Sequence, residues 1–175
     1  MTEQAEIYYR NYWKTDEEDT RNKRNYYVRL YRHLLYKLLI PSNARVLDIA
    51  GGNGQFLHFL GVKQADILDI SESGVEAARF KNYRAILGDI QKRFPIKEES
   101  YDVAFLCEVL EHLQHPSITL VEAYHVLKSG GVLYVAQPNM RADGRHHVRR
   151  YYPDELIDDL KKSGFKIMCT DVRGS

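Results

Sequence analysis

Three aspartates of this sequence lie within or just after short apolar segments, at intervals of about twenty residues. Asp48 lies in VLDIA, Asp69 follows ADIL, and Asp89 follows RAILG. A carboxylate at the end of a second strand, roughly 20 residues after the first turn, can accept hydrogen bonds from both hydroxyls of a ribose. Asp89, at the end of the next strand, is placed for an adenine amino group. The three aspartates therefore predict a pocket for adenosine.

A glycine-rich turn, AGGNG at residues 50–54, directly follows the first of these carboxylates. Gly52 and Gly54 can adopt positive φ and carry no Cβ, so the backbone can turn sharply and lie against a ligand. A phosphate-binding P-loop would require Lys followed by Ser or Thr after the glycines, and neither pair is present. A dinucleotide fingerprint starting at Gly52 would require glycine at position 57, which is Leu57. The expected ligand therefore contains adenosine but no pyrophosphate.

A second group of reactive side chains lies in the segment CEVLEHLQH, which follows the fourth apolar run. Glu108, Glu111 and His112 are spaced i, i+3 and i+4, so on a helix they would share one face. His112, with the two glutamates, could act as a general base toward an acceptor hydroxyl. The same three side chains, completed by His146 or His147, could instead bind a divalent cation. For His112, the role of general base or substrate contact is favoured over that of metal ligand, and the identity of such a metal stays open. A purely structural role for His112 is the remaining alternative.

The segment RADGRHHVRR, residues 141–150, concentrates four arginines and two histidines around one acidic residue. Guanidinium groups bind phosphate and carboxylate in bidentate geometry, so this segment could recognise a phosphate or carboxylate group on a substrate. The candidate substrate contacts are Arg145, His147 and Arg149. An ordinary solvated loop is the alternative.

The elements that must position these residues alternate between strands and helices. Six short apolar runs predict buried strands: RVLDIA, ADILDI, RAILGD, YDVAFLC, VLYVAQ and FKIMCT. Predicted helices cover 27–39, 54–60, 72–80, 108–113, 117–128 with Ser117 and Gly130-Gly131 as caps, and a last segment from Pro153 to Gly164. Such an order predicts a doubly wound α/β fold with a mainly parallel sheet covered on both faces.

The composition fits one globular domain. The chain has 175 residues, of which 44% are hydrophobic and 28% charged, and its formal net charge is +1. This balance disfavours a nucleic-acid or membrane-surface partner, and no apolar run approaches the roughly 18 residues of a membrane span. The N-terminus lacks the pattern of a signal peptide, so a cytoplasmic location is expected. Cys107 and Cys169 are too few for a disulfide framework or a cysteine-based zinc site.

Five blocks of the sequence resemble, in order, the class I S-adenosylmethionine-dependent methyltransferases, in particular the small type 11 branch and its ubiquinone-biosynthesis-like relatives. VLDIAGGNG is similar to the loop VLD-x-G-x-G-x-G, ILDISESGVEAAR to the second strand and helix, and LGDIQKRFPIKEESYDVAFLCEVLEHL to the third and fourth strands. LVEAYHVLKSGGVLYVAQPN resembles the block of the fifth strand, and HVRRYYPDELIDDLKKSGF the closing helix. The resemblance covers about residues 40–168. It implies a Rossmann-like sheet of six, and with a final hairpin seven, strands.

The resemblance also implies S-adenosylmethionine as the cofactor and S-adenosylhomocysteine as the product. Asp48 and the loop from Ala50 to Gly54 would hold the methionine end, and Asp69 the ribose. Asp89 and the backbone of Ile90 would bracket the adenine. The cofactor-binding residues so implied are Asp48, Ala50, Gly52, Asn53, Gly54, Asp69, Ile70, Asp89, Ile90 and Cys107, with Cys107 and Glu108 bordering the transferable methyl.

In related enzymes the N-terminal segment covers the cofactor and forms part of the acceptor pocket. By that resemblance residues 1–40 are expected to be a helical lid, with Tyr12 and Trp13 contacting substrate, and residues 41–175 the cofactor-binding core of a single domain. Two features depart from the family pattern. Ala50 replaces the family's first glycine, and as a small residue it is expected to fit if its φ is negative, with the loop keeping the family's path. The seventh strand is either missing or cut off, and an open sheet edge there would favour a homodimer or a partner chain.

The resulting expectation is methyl transfer to an oxygen of a small, possibly anionic molecule, with Glu108, Glu111 and His112 as the catalytic group. The first alternative is a metal-using methyltransferase acting on an RNA ribose 2′-hydroxyl. A similar E-x-x-E-H arrangement with a later histidine occurs in small-RNA 3′-end methyltransferases and in ubiquinone-pathway O-methyltransferases. Against it stands the nearly neutral total charge. The second alternative is a non-catalytic, cofactor-binding partner subunit.

Overall fold

The computed structural model describes residues 40–137 and 147–170. In chain order the elements are β1 (Val46–Ile49), α1 (Gln55–Leu60), β2 (Ala65–Asp69), α2 (Glu72–Phe80), β3 (Arg84–Leu87), β4 (Tyr101–Cys107), a 3₁₀ turn (Leu110–His112), α3 (Pro116–Val126), β5 (Leu127–Ala136) and α4 (Pro153–Lys162). The expected alternation of strands and helices is thus confirmed in this part of the chain.

The five strands form one parallel sheet in the order β3-β2-β1-β4-β5. The chain proceeds outward from β1 to β3 and then returns to pair β4 with the other side of β1. Asp48 stands between Ile67 of β2 and Phe105 of β4. Because ligands of doubly wound sheets bind beyond the carboxyl ends of the strands where the order reverses, this topology places the expected site at the ends of β1, β2 and β4.

Apolar side chains cover both faces of the sheet, which is why its strands lack a clean polar alternation. Leu47 and Ile49 of β1 pack on one face with Leu120 and Ala123 of α3. Val46 points to the opposite face, where the apolar sides of α1 and α2 cover β1 and β2. Asp48 has the same parity as Val46, so its carboxylate lies under α1, on the side of the glycine-rich turn.

Local signals placed three helices correctly. Helix α1 begins after Gly54, and α2 begins after Ser71, whose hydroxyl accepts a hydrogen bond from Gly74 N at 3.2 Å. Helix α4 starts at Pro153 and is followed by Gly164 at φ +100°. These boundaries depend on the cap residues themselves, so they could be predicted without knowledge of the tertiary fold.

The segment around the fifth strand differs from its prediction. The helix starts at Pro116 and ends at Val126, so Ser117 is not its N-cap and the glycine pair is not its C-cap. Strand β5 already begins at Leu127 and passes through Gly130, whose φ is +78°. A register shift opposite β4 accommodates this glycine, so it bends a strand instead of ending a helix.

Two further predictions are wrong. A helix over 108–113 does not form: Glu108 has φ 56° and only the 3₁₀ turn Leu110–His112 follows. Residues 165–170, the predicted sixth strand, are not part of the sheet, because a strand needs a hydrogen-bonding neighbour and the described residues provide none beside them. The sheet therefore has five strands among the described residues, not six or seven. The predicted helix over 27–39 lies outside the described residues.

Within residues 40–137 and 147–170, no helix is both long enough and apolar enough to cross a bilayer.

Candidate active site

The carboxylate of Asp69 fixes the glycine-rich turn to the end of β2. Its Oδ2 accepts a hydrogen bond from Gly52 N at 2.8 Å, and its Oδ1 accepts one from Ser71 N at 2.7 Å. Burial raises the pKa of Asp69, while the backbone N–H donors act in the opposite direction by stabilising the ionised form. Asp69 thus shapes the turn directly, a role that the sequence pattern did not reveal.

Asp48 is a buried carboxylate directly beneath the same turn. Only 2% of the residue's surface is exposed, and its Oδ2 has no hydrogen-bond partner among the described residues. Burial, and secondarily the neighbouring Asp69, raise the pKa of Asp48 well above its ordinary value. An uncompensated carboxylate in this position is costly for the folded protein. A cationic or hydrogen-bond-donating ligand group above it would remove that cost.

The turn between Asp48 and α1 is left open by its glycines. Gly52 has φ 53° and Gly54 has φ 72°, so the expected positive φ values are confirmed. A Cβ at Gly51 would lie 2.5 Å from Asp48 Oδ2, and one at Gly54 would lie 2.8 Å from Ile67 and Tyr83. The turn is therefore a cradle that side chains would fill.

Ala50 adopts φ 61°, in the left-handed region, so the negative φ that was the condition for an easy fit is not observed. Its N–H donates to Leu68 O at 2.7 Å, which ties the residue to β2 and holds the strained conformation. An L-residue with a Cβ is disfavoured there by roughly 1–2 kcal/mol. The backbone follows the path that glycine would take, and alanine tolerates it at a cost in stability.

The end of β3 brings Asp89 to the same edge of the sheet. Gly88 N donates to Asp69 O at 2.9 Å, so Asp89 stands one residue beyond a direct bond to β2. Asp89 Oδ1 accepts from Gln91 N at 2.9 Å and its Oδ2 lies 3.5 Å from Lys92 Nζ. Ile90 is buried, and its carbonyl accepts from Thr119 Oγ1 at 2.8 Å.

Two residues missed by sequence reasoning also support this region. Lys81 Nζ donates to Asn53 O at 2.8 Å, which links the end of α2 to the turn, and Asn53 Oδ1 accepts from Gln55 N. Gln137 follows β5 beside Glu108, whose N–H donates to Ala136 O, and Gln137 Nε2 is buried without a partner among the described residues. Lys81 lies outside the family blocks, and Gln137 lies inside one but at a position to which no role was assigned.

The second reactive group lies just past β4. Glu111 is 3% exposed on the 3₁₀ turn, and its Oε1 lies 3.6 Å from Nε2 of His112. The imidazole rings of His112 and His147 have centroids 4.9 Å apart. Burial, and then the charge of Glu108, raise the pKa of Glu111 from 4.5 to about 8. The structure therefore places His147 beside Glu111 and His112. His147 is one of the two histidines, with His146, that were proposed from the sequence for this position.

Glu108 is placed differently from its prediction. It follows Cys107, the last residue of β4, and its left-handed φ turns the chain before the 3₁₀ turn begins. It consequently does not share a helix face with Glu111 and His112, although its charge reaches Glu111. Non-glycine residues with such backbone angles concentrate at functional sites.

Of the predicted substrate contacts, only two lie within the described residues. His147 belongs to the group around Glu111, as described above. Arg149 donates to the hydroxyl of Tyr151 at 3.0 Å and lies over its ring at 5.0 Å. Tyr12, Trp13 and Arg145 lie outside the described residues, as does His146.

A cavity of about 330 Å³ lies at the opposite edge of the sheet, where β1, β2 and β4 begin. Its charged groups neutralise one another: Asp66 Oδ2 is 2.8 Å from Arg84 and accepts from the Tyr101 hydroxyl at 2.6 Å. Burial, and then the bond to Asp66, raise the pKa of Tyr101. This cavity is far from the strand ends where doubly wound folds bind ligands, so the candidate site stays with Asp48, Asp69 and Asp89.

The residues at the strand ends fit an adenosine ligand that carries a charged amino-acid end. The cradle can receive a ligand backbone closely, and the partnerless Asp48 oxygen beneath it suits a donor or cation. Asp69 and Asp89 follow at adjacent strand ends, which matches a ribose and then a base. Fold and strand-end residues together are typical of a doubly wound domain that binds an adenosine-containing cofactor, and a glutamate–histidine cluster follows the neighbouring strand β4.

Residues 47–135, just over half of the chain, match the family described as a methyltransferase domain. The chain therefore belongs to this family, which confirms the resemblance seen in its sequence blocks. The match begins with β1 and ends in β5, so it contains the three strand-end aspartates and the segment from Cys107 to His112.

Among curated relatives, the chain is 28% identical over 121 residues to the ubiquinone/menaquinone biosynthesis C-methyltransferase UbiE of Roseobacter denitrificans, covering 62% of this chain and 48% of the relative. It is 29% identical over 147 residues to the ubiquinone biosynthesis O-methyltransferase of the same organism, covering 69% and 59%. The chain thus spans about half the length of the curated relatives it matches.

A solved structure with a similar fold comes from the complex between the Haloferax volcanii Trm112 methyltransferase activator and a methyltransferase. Its TM-score is 0.74 at 19% identity, with 94% of this chain and 77% of that chain covered. At this identity the similarity establishes the fold alone. It agrees with the Rossmann-like topology derived from the strand order.

Proposed function

We propose that the protein transfers a methyl group from S-adenosylmethionine to an oxygen of a small, anionic molecule. The observation that supports an oxygen acceptor is the cluster of buried Glu111 with the partly buried His112 and His147, close to the end of β4. An amine or thiol is nucleophilic enough to need little help. A hydroxyl, in contrast, requires a group that removes its proton or lowers its pKa. The two ubiquinone-pathway relatives carry names for carbon and for oxygen methylation, and this cluster favours oxygen.

The chain's own residues would mainly bind and align the reactants. When bound, S-adenosylmethionine supplies a sulfonium-activated methyl, whose carbon–sulfur bond breaks as the acceptor oxygen bonds to the carbon, leaving S-adenosylhomocysteine. Asp48 and the turn from Ala50 to Gly54 would hold the amino-acid end. Asp69 would accept the ribose hydroxyls, and Asp89 with the backbone of Ile90 would bracket the adenine. Cys107 and Glu108 would border the methyl, and Ile70 the cofactor beside Asp69.

An anionic acceptor is supported by the positive charge that follows the cluster. Arg149 and Arg150 stand two and three residues after His147. Their guanidinium groups lie over the rings of Tyr151 and Tyr152, at 5.0 and 4.7 Å from the ring centroids. Guanidinium groups ordered in this way bind a carboxylate or phosphate with less loss of side-chain entropy. Arg145, in the same basic segment, would add to this contact.

The test is a set of paired acceptors incubated with the protein and S-adenosylmethionine. Hydroxybenzoates, catechol carboxylates and phosphorylated sugars would each be compared with the analogue that lacks the acidic group. We expect a product heavier by one methylene for an acidic acceptor, with formation of S-adenosylhomocysteine, and slower turnover for its neutral analogue. Glu111→Gln should lower the rate, and Glu76→Gln, at an exposed position on α2, should not. A product methylated at carbon or nitrogen would contradict the proposal.

The second candidate is methylation of an RNA ribose 2′-hydroxyl. The joining of Glu111, His112 and His147 favours it, because this cluster would also assist a ribose hydroxyl. Short RNAs with a free 3′ end, with and without Mn²⁺, belong in the same assay. Methylation of RNA but of none of the small acids would replace the first candidate by the second.

A third reading is a cofactor-binding subunit that works with a partner chain. The Haloferax neighbour was solved together with an activator protein, and strand β5 pairs only with β4 among the described residues. A homodimer or partner could add to that edge of the sheet. Binding of S-adenosylmethionine without transfer to any acceptor would favour this reading.

A further inference from the structure

Three potential metal ligands converge just beyond the end of β4. One ligand atom each from Glu111, His112 and His147 can be chosen so that all lie within 4.8 Å of one another. Atoms that share a cation at about 2.1 Å lie roughly 3–4.2 Å apart, so modest side-chain rotations would bring the three into one coordination sphere. The cluster is therefore close to a three-ligand site.

The backbone holds His147 in this position. Val148 N and Arg149 N both donate to Glu111 O, at 2.9 and 3.2 Å, which ties the segment carrying His147 to the 3₁₀ turn. The same segment is anchored at its other end by Tyr151, a buried residue whose hydroxyl donates to Asp159 at 2.8 Å. The proximity of the three side chains thus follows from fixed backbone contacts.

Glu111 carries the second observation that indicates a ligand. Its side chain is almost fully buried, and its Oε2 has no hydrogen-bond partner among residues 40–137 and 147–170. Buried carboxylates are normally paired with a charge or coordinate a metal. A divalent cation between Glu111 and the two imidazoles would satisfy this oxygen.

We propose that Glu111, His112 and His147 form a binding site for a divalent transition-metal cation. One carboxylate and two imidazoles on one side of an ion suit Mn²⁺, Fe²⁺, Co²⁺ or Zn²⁺ better than Mg²⁺ or Ca²⁺, which prefer oxygen ligands throughout. Glu108 is not a member of this set, because the group of ligand atoms within 4.8 Å of one another consists of Glu111, His112 and His147.

The proposal deepens the proposed function and rests on it for its chemical purpose. Three protein ligands leave coordination positions open for the acceptor's oxygen. A hydroxyl bound to a divalent cation has a lowered pKa, so its proton can pass to water before the methyl transfer. In this arrangement His112 is a metal ligand, and the acceptor needs no free base.

The test measures metal binding directly. The purified chain is stripped with a chelator and titrated with MnCl₂ by calorimetry and with CoCl₂ by visible absorption. We expect one ion per chain and new cobalt absorption bands of a mixed imidazole–carboxylate site. His147→Ala and Glu111→Gln should each weaken Mn²⁺ binding at least tenfold. His125→Ala, an exposed histidine on α3, is the matched control and should bind like the unaltered chain.

Thermal unfolding of each variant identifies any that fail to fold, and His147→Ala, on a partly exposed loop, then decides the result. No Mn²⁺ or Co²⁺ binding, or binding that His147→Ala leaves unchanged, would overturn the metal site. Titration with S-adenosylhomocysteine on the same samples separates the two claims. If the chain binds S-adenosylhomocysteine but neither Mn²⁺ nor Co²⁺, the metal site is overturned. Methyl transfer, with His112 as the base, then still stands as the proposed function.

Discussion

Ala50, the first residue of the glycine-rich turn, has a left-handed backbone conformation that favours glycine. Replacing it with glycine should relieve a strain of roughly 1–2 kcal/mol, part of which is lost to the greater freedom of glycine in the unfolded chain. We expect Ala50→Gly to raise the free energy of unfolding by about 0.5–1 kcal/mol in urea denaturation. Ala77→Gly, within α2, is the control and should lower it by about 1 kcal/mol. Equal losses in both variants would show that Ala50 is not strained.

Asp48 makes the stability of the unliganded protein depend on pH. Because burial raises its folded pKa above the unfolded value of 3.8, the folded protein binds the proton more tightly, and this contribution to stability is lost as pH rises through the folded pKa. Asp48→Asn removes that loss. We expect the stability of the variant relative to the unaltered chain to increase from pH 5 to pH 8.

The same substitution should weaken S-adenosylmethionine binding, since the carboxylate that destabilises the free protein is the one proposed to hold the ligand's charged end. Chemical denaturation at the two pH values, together with a ligand titration, checks both parts. A variant that is less stable than the unaltered chain at pH 8 would contradict this account of Asp48.

At the scale of elements, the turn between β1 and α1 depends on close packing as well as on backbone angles. Gly54 and Gly61, before and after α1, both have φ 72°, but a Cβ at Gly54 would meet Ile67 and Tyr83 at 2.8 Å whereas one at Gly61 meets nothing within 4 Å. Alanine at either position costs roughly 1 kcal/mol of backbone strain. Gly54→Ala should cost at least about 1 kcal/mol more and weaken cofactor binding.

Measured unfolding free energies and S-adenosylhomocysteine affinities of the two variants provide the comparison. Gly61→Ala should retain the affinity of the unaltered chain. If both variants lose affinity equally, backbone strain alone would explain the effect and the close packing of the turn would be irrelevant.

The outer edge of β3 is partly closed by a side chain. Arg79 donates from Nε and Nη2 to Ala85 O at 3.2 and 2.9 Å, which occupies a carbonyl on the edge strand. Phe80 and Leu87 nearby are exposed. Arg79→Leu should therefore promote self-association, measured by light scattering, because it opens an apolar edge. Arg93→Leu removes an exposed arginine elsewhere and should not. Monomeric behaviour of Arg79→Leu would show that the edge needs no such cover.

The elements that the sequence predicted well are those whose boundaries depend on local chemistry. Ser71 caps α2, Pro153 opens α4, and the strand-end aspartates meet because parallel strands bring their carboxyl ends to one edge. The helix over 108–113 failed because the Glu108 N–H bonds to Ala136 O and keeps the chain in the sheet, a contact with no local signal. The contact of His147 with the cluster likewise depends on where a distant segment crosses.

At the scale of the whole molecule, the five-stranded sheet places two groups of residues side by side. We propose the adenosine site at the strand ends of β1, β2 and β3, and the cluster of Glu111, His112 and His147 lies just past the end of β4. Because β1 pairs with both β2 and β4, a methyl donor bound at the proposed site would stand next to a group that could assist an acceptor. The acceptor is selected by surrounding segments, which differ from the shared scaffold.

The most direct test is titration of the purified chain with S-adenosylmethionine and S-adenosylhomocysteine. We predict one site per chain for both ligands, and for S-adenosylhomocysteine a loss of affinity of at least about tenfold in Asp69→Ala, or about 1.4 kcal/mol. Asp158→Asn, an exposed aspartate on α4, should bind like the unaltered chain. Failure of both ligands to bind the folded protein, or equal affinity in Asp69→Ala, would contradict the account.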